Sequence, residues 1–366
     1  MTDFVVVGGG MAGASAAAHL APHGSVVLLE TEPTMAFHTT GRSAALFIVN
    51  YGTEGSRPFA AASKAFLDNP PAGSADGPLL SDRGLLWIAD ATKITKLEEI
   101  SAGTGTPLLD PGEAIDLVPA LRPERVAGGV HEPKARDIDV AALHQAYVRI
   151  ARSHGAEIRT GSPVTAIQRD GAGWTITIGQ EMMSCSAVIN ASGAWGDETA
   201  HLAGVAPIGL QPMRRTAFMV PGSNAYHHWP MVAEADQQFY FKPDGVQFLC
   251  SLAEEEPCHP CDAKPRMEDV ALAIERINEY TTLGIRAVNS QWTGLRTFAP
   301  DRNLVIGEEP GAPGFFWLVG LGGIGIQTSP AYGSLLASLA TGSALPPELA
   351  AAGVDPAVVD PARFRT

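Results

Sequence analysis

Cysteine is scarce in this chain of 366 residues. The four cysteines are Cys185, Cys250, Cys258 and Cys261. A chain of this length that depended on disulfides would contain more of them, so the composition predicts a reducing compartment and a cytoplasmic location.

The segment Cys258-His259-Pro260-Cys261 has the spacing of half a structural zinc site. Such a site needs four ligands. The other candidate donors, Cys250 and the pair at 227–228 (HH), have no regular spacing from it. We therefore predict free thiols and no metal site.

Long apolar segments are also missing. The longest covers residues 314–326 and is interrupted by glycines, whereas a membrane-spanning helix needs about 18–20 apolar residues. The first ten residues, MTDFVVVGGG, lack the basic region and cleavage site of a signal peptide. The sequence therefore predicts no transmembrane segment and no signal peptide.

Basic residues are outnumbered: 25 lysines and arginines against 39 acidic residues give a formal net charge of −14. Nucleic acid and anionic membranes repel such a surface, so neither is expected as a main partner. A hydrophobic fraction of 45% is typical of a folded chain. The length predicts two domains.

The first 30 residues have the pattern of a β-α-β unit. Residues 4–7 (FVVV) and 26–29 (VVLL) are short apolar runs of the kind found in buried parallel strands. An alanine-rich segment over residues 11–20 predicts the helix between them.

A glycine motif, GGGMAG at residues 8–13, joins the first strand to this helix. In this context Gly8 makes a tight turn, Gly10 lets a pyrophosphate approach the backbone, and Gly13 lets the helix pack on the strand. The helix N-terminus then offers N–H groups to the phosphates. Glu30, 20 residues after Gly10, is placed to accept hydrogen bonds from a ribose diol and to repel a 2′-phosphate. The motif predicts FAD or NAD rather than NADP.

Signals of a nucleotide-binding domain recur in the middle and at the end of the chain, which predicts an α/β protein with two interleaved domains. The nucleotide-binding domain is predicted over residues 1–78, 135–205 and 297–366, and a mixed-sheet substrate-binding domain over residues 79–134 and 206–296.

Four motifs stand in a characteristic order: residues 8–13 with Glu30, then 41–43 (GRS), 191–195 (ASGAW) and 322–327 (GGIGIQ). This order resembles that of the D-amino-acid oxidase-like flavoproteins, which include glycine oxidases, sarcosine oxidases and D-amino-acid dehydrogenases. The resemblance covers essentially the whole chain. Short segments such as GRSAA, GLQP, GFFW and GIQTS resemble segments of bacterial D-arginine dehydrogenases. It implies a Rossmann-type FAD-binding domain interleaved with the substrate-binding domain.

The resemblance also implies non-covalent FAD, because no cysteine lies in the last hundred residues, where sarcosine oxidase-like members attach their flavin. The residues expected to contact FAD are Gly8, Gly10, Met11, Ala12, Gly13, Glu30, Thr31, Gly41, Arg42, Ser43, Ala44, Val164, Ala191, Ser192, Gly193, Trp195, Gly322, Gly323, Ile324, Gly325, Ile326 and Gln327.

Two arginines are the candidate anchors for a substrate. Arg215 and Arg296 stand beside apolar or aromatic residues in predicted strands, where a guanidinium is costly to bury without an anion. Arginine binds a carboxylate bidentately and so fixes its orientation. Pairing with a structural acid is the alternative. By resemblance, the two match the pair that binds an amino acid carboxylate.

The resemblance adds four further residues. Tyr240 matches a tyrosine that contacts the same carboxylate, and Tyr51 matches the tyrosine of a lid, here residues 45–51. The carbonyl of Gly323 would accept a hydrogen bond from the substrate amine, and Gln327 would line the flavin side.

The side-chain pocket departs from the D-arginine dehydrogenase pattern. The position of the acid that pairs with the substrate guanidinium is Leu85 here, and two polar lid positions are Leu46 and Ile48. We therefore expect apolar or aromatic side chains to be preferred and arginine and lysine to be poor substrates. Glu234 is a candidate replacement for the missing acid.

These features predict oxidative deamination of D-amino acids to 2-oxo acids and ammonia by hydride transfer to flavin, with no general base assigned. The electron acceptor, oxygen or a quinone or another acceptor, is left open. Alternatives are oxidation of secondary (N-methyl) amino acids, D-arginine dehydrogenase activity, an NAD-dependent dehydrogenase, and a redox-inert flavoprotein subunit.

Overall fold

The structure, a computed structural model, describes residues 2–365. Residues 1 and 366, which the predicted domain limits include, lie outside the described residues. The strands are β1 (Thr2–Val7), β2 (Val26–Leu29), β3 (Leu46–Phe47), β4 (Leu80–Asp82), β5 (Leu85–Ala89), β6 (Leu108–Leu109), β7 (Gly128–Glu132), β8 (Arg136–Ile138), β9 (Glu157–Arg159), β10 (Val164–Asp170), β11 (Gly173–Ile178), β12 (Glu181–Asn190), β13 (Gln211–Pro221), β14 (Met231–Glu234), β15 (Tyr240–Asp244), β16 (Gln247–Ser251), β17 (Glu256–Pro257), β18 (Ser290–Phe298), β19 (Val305–Glu308) and β20 (Phe315–Val319). The helices are α1 (Met11–Leu20), α2 (Arg57–Asp68), α3 (Ile94–Thr104), α4 (Pro111–Leu117), α5 (Val140–Ser153), α6 (Gly196–Leu202), α7 (Met267–Tyr280), α8 (Ser329–Thr341) and α9 (Pro347–Ala351).

The first sheet has the strand order β10-β11-β12-β1-β2-β9, with β20 beside β12 and β19 beside β20. Strand β1 pairs in parallel with β2 and β12, and helices α1 and α8 contact each other near it. Val5 and Val6 are fully buried because the sheet is covered on both sides. The predicted β-α-β unit is confirmed: α1 and β2 have the predicted limits, and β1 begins two residues earlier, at Thr2.

The second sheet has the order β17-β13-β16-β15-β14-β5-β7-β6, with β18 beside β13. Its pairs are antiparallel except for β14 with β5, which are parallel, so the expected mixed sheet is confirmed. The fold is thus the predicted α/β arrangement of two sheets built from alternating parts of the chain. The predicted domain limits stay a prediction, and β18 runs across the predicted limit between residues 296 and 297.

A small third sheet of order β3-β8-β4 lies at the predicted lid. Leu46 and Phe47 pair with Asp137 and Arg136 of β8, and Phe47 is buried. The first part of the segment 45–51 is therefore fixed by backbone pairing, and residues 48–51 extend from that anchor.

Within residues 2–365, none of the helices combines the length and the apolar character that crossing a bilayer requires. The cytoplasmic location stays a prediction.

Candidate active site

A cavity of about 860 Å³, here called the larger cavity, opens at the carboxyl ends of β1, β2, β12 and β20. Crevices at this edge of a parallel sheet are where such folds bind ligands. Most of the residues predicted to contact FAD line it: Gly8, Gly10, Met11, Ala12, Glu30, Thr31, Arg42, Ser43, Ala44, Val164, Ala191, Ser192, Gly193, Trp195, Gly322, Gly323, Gly325 and Ile326.

At the glycine motif, main-chain atoms without side chains border this cavity. Gly8 has φ +109°, and a Cβ there would lie 2.5 Å from the carbonyl oxygen of Ala191. A Cβ on Gly13 would lie 1.8 Å from the carbonyl oxygen of Gly8, so Gly13 packs α1 on β1 and does not line the cavity. Gly10 is the N-cap residue of α1. The positive end of the helix dipole therefore points into the cavity, as a pyrophosphate requires.

Glu30 lies at the end of β2 on the wall of the larger cavity. One carboxylate oxygen accepts a hydrogen bond from the N–H of Gly9 at 2.6 Å, and the other accepts from the N–H of Glu32 at 2.8 Å. Each oxygen keeps acceptor capacity for the ribose diol that the sequence predicts at this position.

His38 is a cavity residue that the sequence did not single out as a ligand. Its ring packs against Trp195 with 4.7 Å between ring centroids, and Nε2 lies 2.9 Å from Oε1 of Glu32. Nδ1 is buried without a hydrogen-bond partner among residues 2–365. No local pattern predicts this, because Trp195 is far along the chain from the loop that carries Glu32 and His38.

Besides Gly13, four of the predicted FAD contacts have other positions or partners. Arg42 lines the cavity, but its guanidinium donates to the carbonyl of Thr293 at 2.8 Å and pairs with Asp262 at 2.5 Å. Gly41 closes a turn, Ile324 lines the neighbouring cavity, and the buried amide of Gln327 bonds to the lid backbone. The charge expected of Arg42 at the flavin is thus neutralised by Asp262.

The Gln327 amide joins α8 to the lid. Its oxygen accepts from the N–H of Ile48 at 2.8 Å, and its nitrogen donates to the carbonyl of Ile48 at 3.2 Å. Since both polar groups of the amide are used, Gln327 acts here as a lid anchor and is not among the residues that line the larger cavity.

The opposite wall of the larger cavity is one face of the second sheet. Arg215 on β13 pairs in register with Gly294 on β18, and Arg296 follows two residues later, so the two arginines are diagonal neighbours on the same face. Tyr240 and Ala217 both pair with Ser251 and therefore share that face. The structure thus brings the predicted anchors together. Arg214, as expected from strand alternation, is not among the cavity residues.

The two guanidinium groups differ in their partners. Arg215 is buried, donates to the carbonyl of Glu254 at 2.8 Å and lies 3.2 Å from Oε1 of Glu255. Arg296 has no carboxylate partner among residues 2–365, and its guanidinium donates a hydrogen bond to the Tyr51 hydroxyl at 3.5 Å. Burial and the neighbouring Arg296 charge lower the pKa of Arg215. This pair therefore holds positive charge that Glu255 only partly balances, as an anion-binding site requires.

The Arg296 guanidinium packs directly on Gly323. A Cβ at that position would lie 2.8 Å from Nη1 of Arg296. Gly323 therefore provides the space that the guanidinium occupies.

A smaller cavity of about 720 Å³ adjoins the larger one and shares Arg215, Gly322 and Gly323 with it. Tyr51 and Ile48 of the lid line it, together with Trp87 and Ile100. Of the three predicted side-chain pocket residues, Ile48 lies on this cavity, whereas Leu46 and Leu85 pack in the core between the lid and the second sheet.

Two acidic residues, Glu234 and Glu132, are candidates to face the predicted side-chain pocket. Glu234, the candidate replacement acid, is buried and paired with Lys93 at 2.8 Å. It also accepts from the N–H of Asp236 at 2.9 Å, and it is not a residue of the smaller cavity. Glu132, which the sequence did not single out, lines that cavity directly.

Within residues 2–365, the cysteines do not line either cavity. Cys185 and Cys250 are buried, Cys258 is half-buried and Cys261 is exposed, all as free thiols. Among the residues that line the larger cavity in the described chain there is no cysteine.

The geometry fits FAD: a glycine cradle at a helix N-terminus, an acid for the ribose, and an arginine-bearing face opposite. Together, the fold and this cavity define a dinucleotide-binding protein whose cavity extends to a sheet face that carries two arginines.

Comparison with known proteins gives the family. The model of the FAD dependent oxidoreductase family matches residues 3–339. The chain therefore belongs to this family, whose cofactor is FAD, and the cofactor and family predicted from the sequence are confirmed.

Glycine oxidase of Geobacillus kaustophilus is 25% identical over 356 residues, with 92% of each chain covered. Its crystal structure superposes with a TM-score of 0.82 at 23% identity, covering 94% of this chain and 95% of that one. L-Proline dehydrogenase from P. horikoshii superposes with a TM-score of 0.85 at 20% identity, covering 99% and 97%. These structural likenesses describe the fold.

Human mitochondrial sarcosine dehydrogenase is 24% identical over 256 residues, which are 64% of this chain. The chain spans 27% of the length of that relative. The more specific resemblance to D-arginine dehydrogenases stays a prediction.

Proposed function

We propose that the protein catalyses the FAD-dependent oxidative deamination of D-amino acids to 2-oxo acids and ammonia. The observation that carries this proposal is Arg296, a guanidinium on the cavity wall beside Arg215 that has no carboxylate partner within residues 2–365. An amino acid carboxylate supplies the anion that this pair lacks.

The residues of the site have distinct roles in this proposal. The two arginines hold the carboxylate, and the hydroxyls of Tyr240 and Tyr51, which border the two cavities, donate to it. The carbonyl of Gly323 accepts from the amine. Bound FAD supplies the electron acceptor for the Cα–H bond. Fixing the carboxylate and the amine on two sides of Cα orients that bond, which is an effect of proximity and orientation.

The smaller cavity accommodates the carbon stem of the side chain. Ile48, Trp87 and Ile100 give it apolar and aromatic walls beside Arg215. These walls support the preference for apolar or aromatic stems that the sequence predicted, although Leu46 and Leu85 do not contribute to them.

The relatives support an amine or amino acid donor without choosing its configuration. One solved neighbour is an L-proline dehydrogenase by its name, and glycine has no stereocentre at Cα. The preference for D-amino acids therefore rests on the motifs of the sequence.

The test is anaerobic reduction of the flavin in the purified holoprotein by matched D- and L-amino acids. Bleaching of the flavin absorbance by D-leucine and D-phenylalanine, with little effect of the L-forms, is the expected result. Bleaching by the L-forms alone would overturn the stereochemical part of the proposal. Oxygen uptake during turnover then separates an oxidase from a dehydrogenase.

Oxidation of a secondary amino acid is the second candidate function. It is favoured by the likeness to human sarcosine dehydrogenase, whose name gives an N-methyl amino acid as substrate. Faster flavin reduction by sarcosine than by any primary D-amino acid would select it.

A further inference from the structure

Glu132 is a buried carboxylate on the wall of the smaller cavity and has no role in the deamination proposed above. Its Oε1 accepts from the indole N–H of Trp87 at 2.9 Å, and its Oε2 accepts from the amide of Asn50 at 3.2 Å. Both donors are neutral. Removing an ionised carboxylate from water is unfavourable unless a cation meets it.

The other acids on this cavity each have a cation. Glu99 lies 2.8 Å from Lys96, Asp236 lies 3.8 Å from Lys93, and Glu255 lies 2.8 Å from Arg302. Within residues 2–365, Glu132 has neutral hydrogen-bond donors and no ion-pair partner. Each carboxylate oxygen still has a lone pair for a further donor.

Glu132 is on the same sheet face as the arginine pair. It is opposite Leu85 in the pairing of β5 with β7, and Trp87 stands two residues along β5. Trp87 is in register with Ala233, which is in register with Tyr240. Side chains that are paired across strands or two residues apart point to the same face.

The lid connects the two charged ends of this face. Tyr51 approaches Arg296 and the neighbouring Asn50 donates to Glu132, so consecutive lid residues reach the anion-binding end and the acidic end. The apolar walls of Ile48, Trp87 and Ile100 belong to the same cavity. A ligand that fits has a carboxylate, an apolar stem and a terminal cation.

We propose that Glu132 is a specificity-determining residue that binds a cationic nitrogen at the end of the substrate side chain. The substrate class is then an amino acid with an aliphatic stem and a terminal ammonium or guanidinium group. This inference rests on the proposed function. It reverses the expectation from the sequence that lysine and arginine are poor substrates.

The experiment compares D-lysine with D-norleucine, which has nearly the same stem without the ammonium, on the FAD-loaded protein. We expect kcat/KM to be higher for D-lysine, and we expect Glu132→Gln to lower the ratio of the two values by about 100-fold. The matched control is Glu98→Gln, since Glu98 is an exposed acid on α3 that lines neither cavity. It should leave the ratio within about twofold of the wild-type ratio.

A ratio that Glu132→Gln leaves unchanged, or equal loss for both substrates, would overturn the proposal and make Glu132 an anchor of Asn50. Nε-acetyl-D-lysine on the wild-type protein tests the same point without a variant, because it removes the charge from the ligand. Activity equal to that with D-lysine would also contradict the proposal. D-ornithine and D-arginine then give the distance and shape of the subsite.

Failure of the proposed function can be distinguished from failure of the proposal for Glu132. If only L-amino acids reduce the flavin, the lysine-to-norleucine ratio is measured in the L-series and tests Glu132 independently of configuration. If neither form reduces the flavin, the deamination fails, and calorimetric titration with lysine and norleucine tests the subsite as binding alone. Tighter binding of lysine that Glu132→Gln removes would support it, and equal binding would reject it.

Discussion

At the first sheet, the larger cavity is bounded by backbone, whereas at the second sheet it is bounded by long side chains. Gly8 and Gly10 leave main-chain groups exposed to the cofactor site, but Arg215, Arg296 and Tyr240 project from a flat sheet face. The first wall depends on the absence of side chains and the second on their charge. We therefore expect that substitutions in one wall affect cofactor binding and that substitutions in the other affect substrate choice.

The largest effect is expected at the backbone wall, from Gly13→Ala. The new Cβ would lie 1.8 Å from the carbonyl oxygen of Gly8, so α1 and the turn must separate. We expect the purified protein to lose most of its FAD and to have a lower Tm. Gly77→Ala is the control, because a Cβ there meets no atom within 4 Å. Full flavin content in Gly13→Ala, measured by absorbance, would contradict the role of the motif.

At the side-chain wall, Arg296→Ala should spare the cofactor. Losing one partner of a buried charge pair costs about 3–5 kcal/mol, which is about two to four decades in kcat/KM. The expected result is that loss with unchanged flavin content. Arg214→Gln, on the opposite face of β13, is the control and should alter kcat/KM only slightly. Similar losses in both variants would mean that the effect is structural.

Gly323 is the position where the two kinds of wall meet. Gly323→Ala places a methyl group 2.8 Å from Nη1 of Arg296 and displaces the guanidinium. A displacement of about 1 Å can cost about 100-fold in rate. Steady-state kinetics should show this loss mainly in kcat/KM. Gly311→Ala, where a Cβ has open space, is the comparison. Unchanged kinetics in Gly323→Ala would show that the guanidinium adapts.

Gln327→Ala tests whether this residue belongs to the cofactor wall or to the lid. It removes both hydrogen bonds to the backbone of Ile48, and each unpaired buried group costs about 1–3 kcal/mol. We expect KM to rise about tenfold while FAD remains bound. Loss of FAD with normal KM would instead support the role predicted from the sequence.

The smallest effect is expected from Tyr51→Phe. The Tyr51 hydroxyl is 3.5 Å from Arg296, at the limit of a hydrogen bond. The partner is a charged guanidinium, but a hydrogen bond at this limiting length is worth only about 0.5–1.5 kcal/mol, so kcat/KM should fall about twofold to tenfold. A loss of a hundredfold or more would assign the hydroxyl a larger part in the reaction.

Local signals were sufficient for the cofactor half of the molecule. The limits of α1 and β2 follow from periodicity and flanking residues, and the glycine motif has its meaning within a few residues of chain. Arg215 and Arg296 were also predictable, because buried strand arginines need an anion. Their diagonal placement needed the register of β13 with β18.

Contacts between distant parts of the chain could not be predicted in the same way. Arg42 is paired with Asp262, and Glu234 with Lys93, through contacts between residues far apart in the chain. Position 85 was expected to decide the side-chain pocket, yet Leu85 is in the core and Glu132 is opposite it on β7. A cross-strand pair has no signature in either strand alone.

Short-range patterns of glycine, apolar residues and charge are enough to predict the β-α-β unit, the cofactor class and the residue types available for an anion. Which charges are already paired depends on the tertiary structure. Within residues 2–365, Arg296 and Glu132 have no ion-pair partner, because strand pairing places them at different ends of one sheet face beneath one lid. Whether two charged side chains form an ion pair depends on the distance between them, and the register of the sheet fixes that distance.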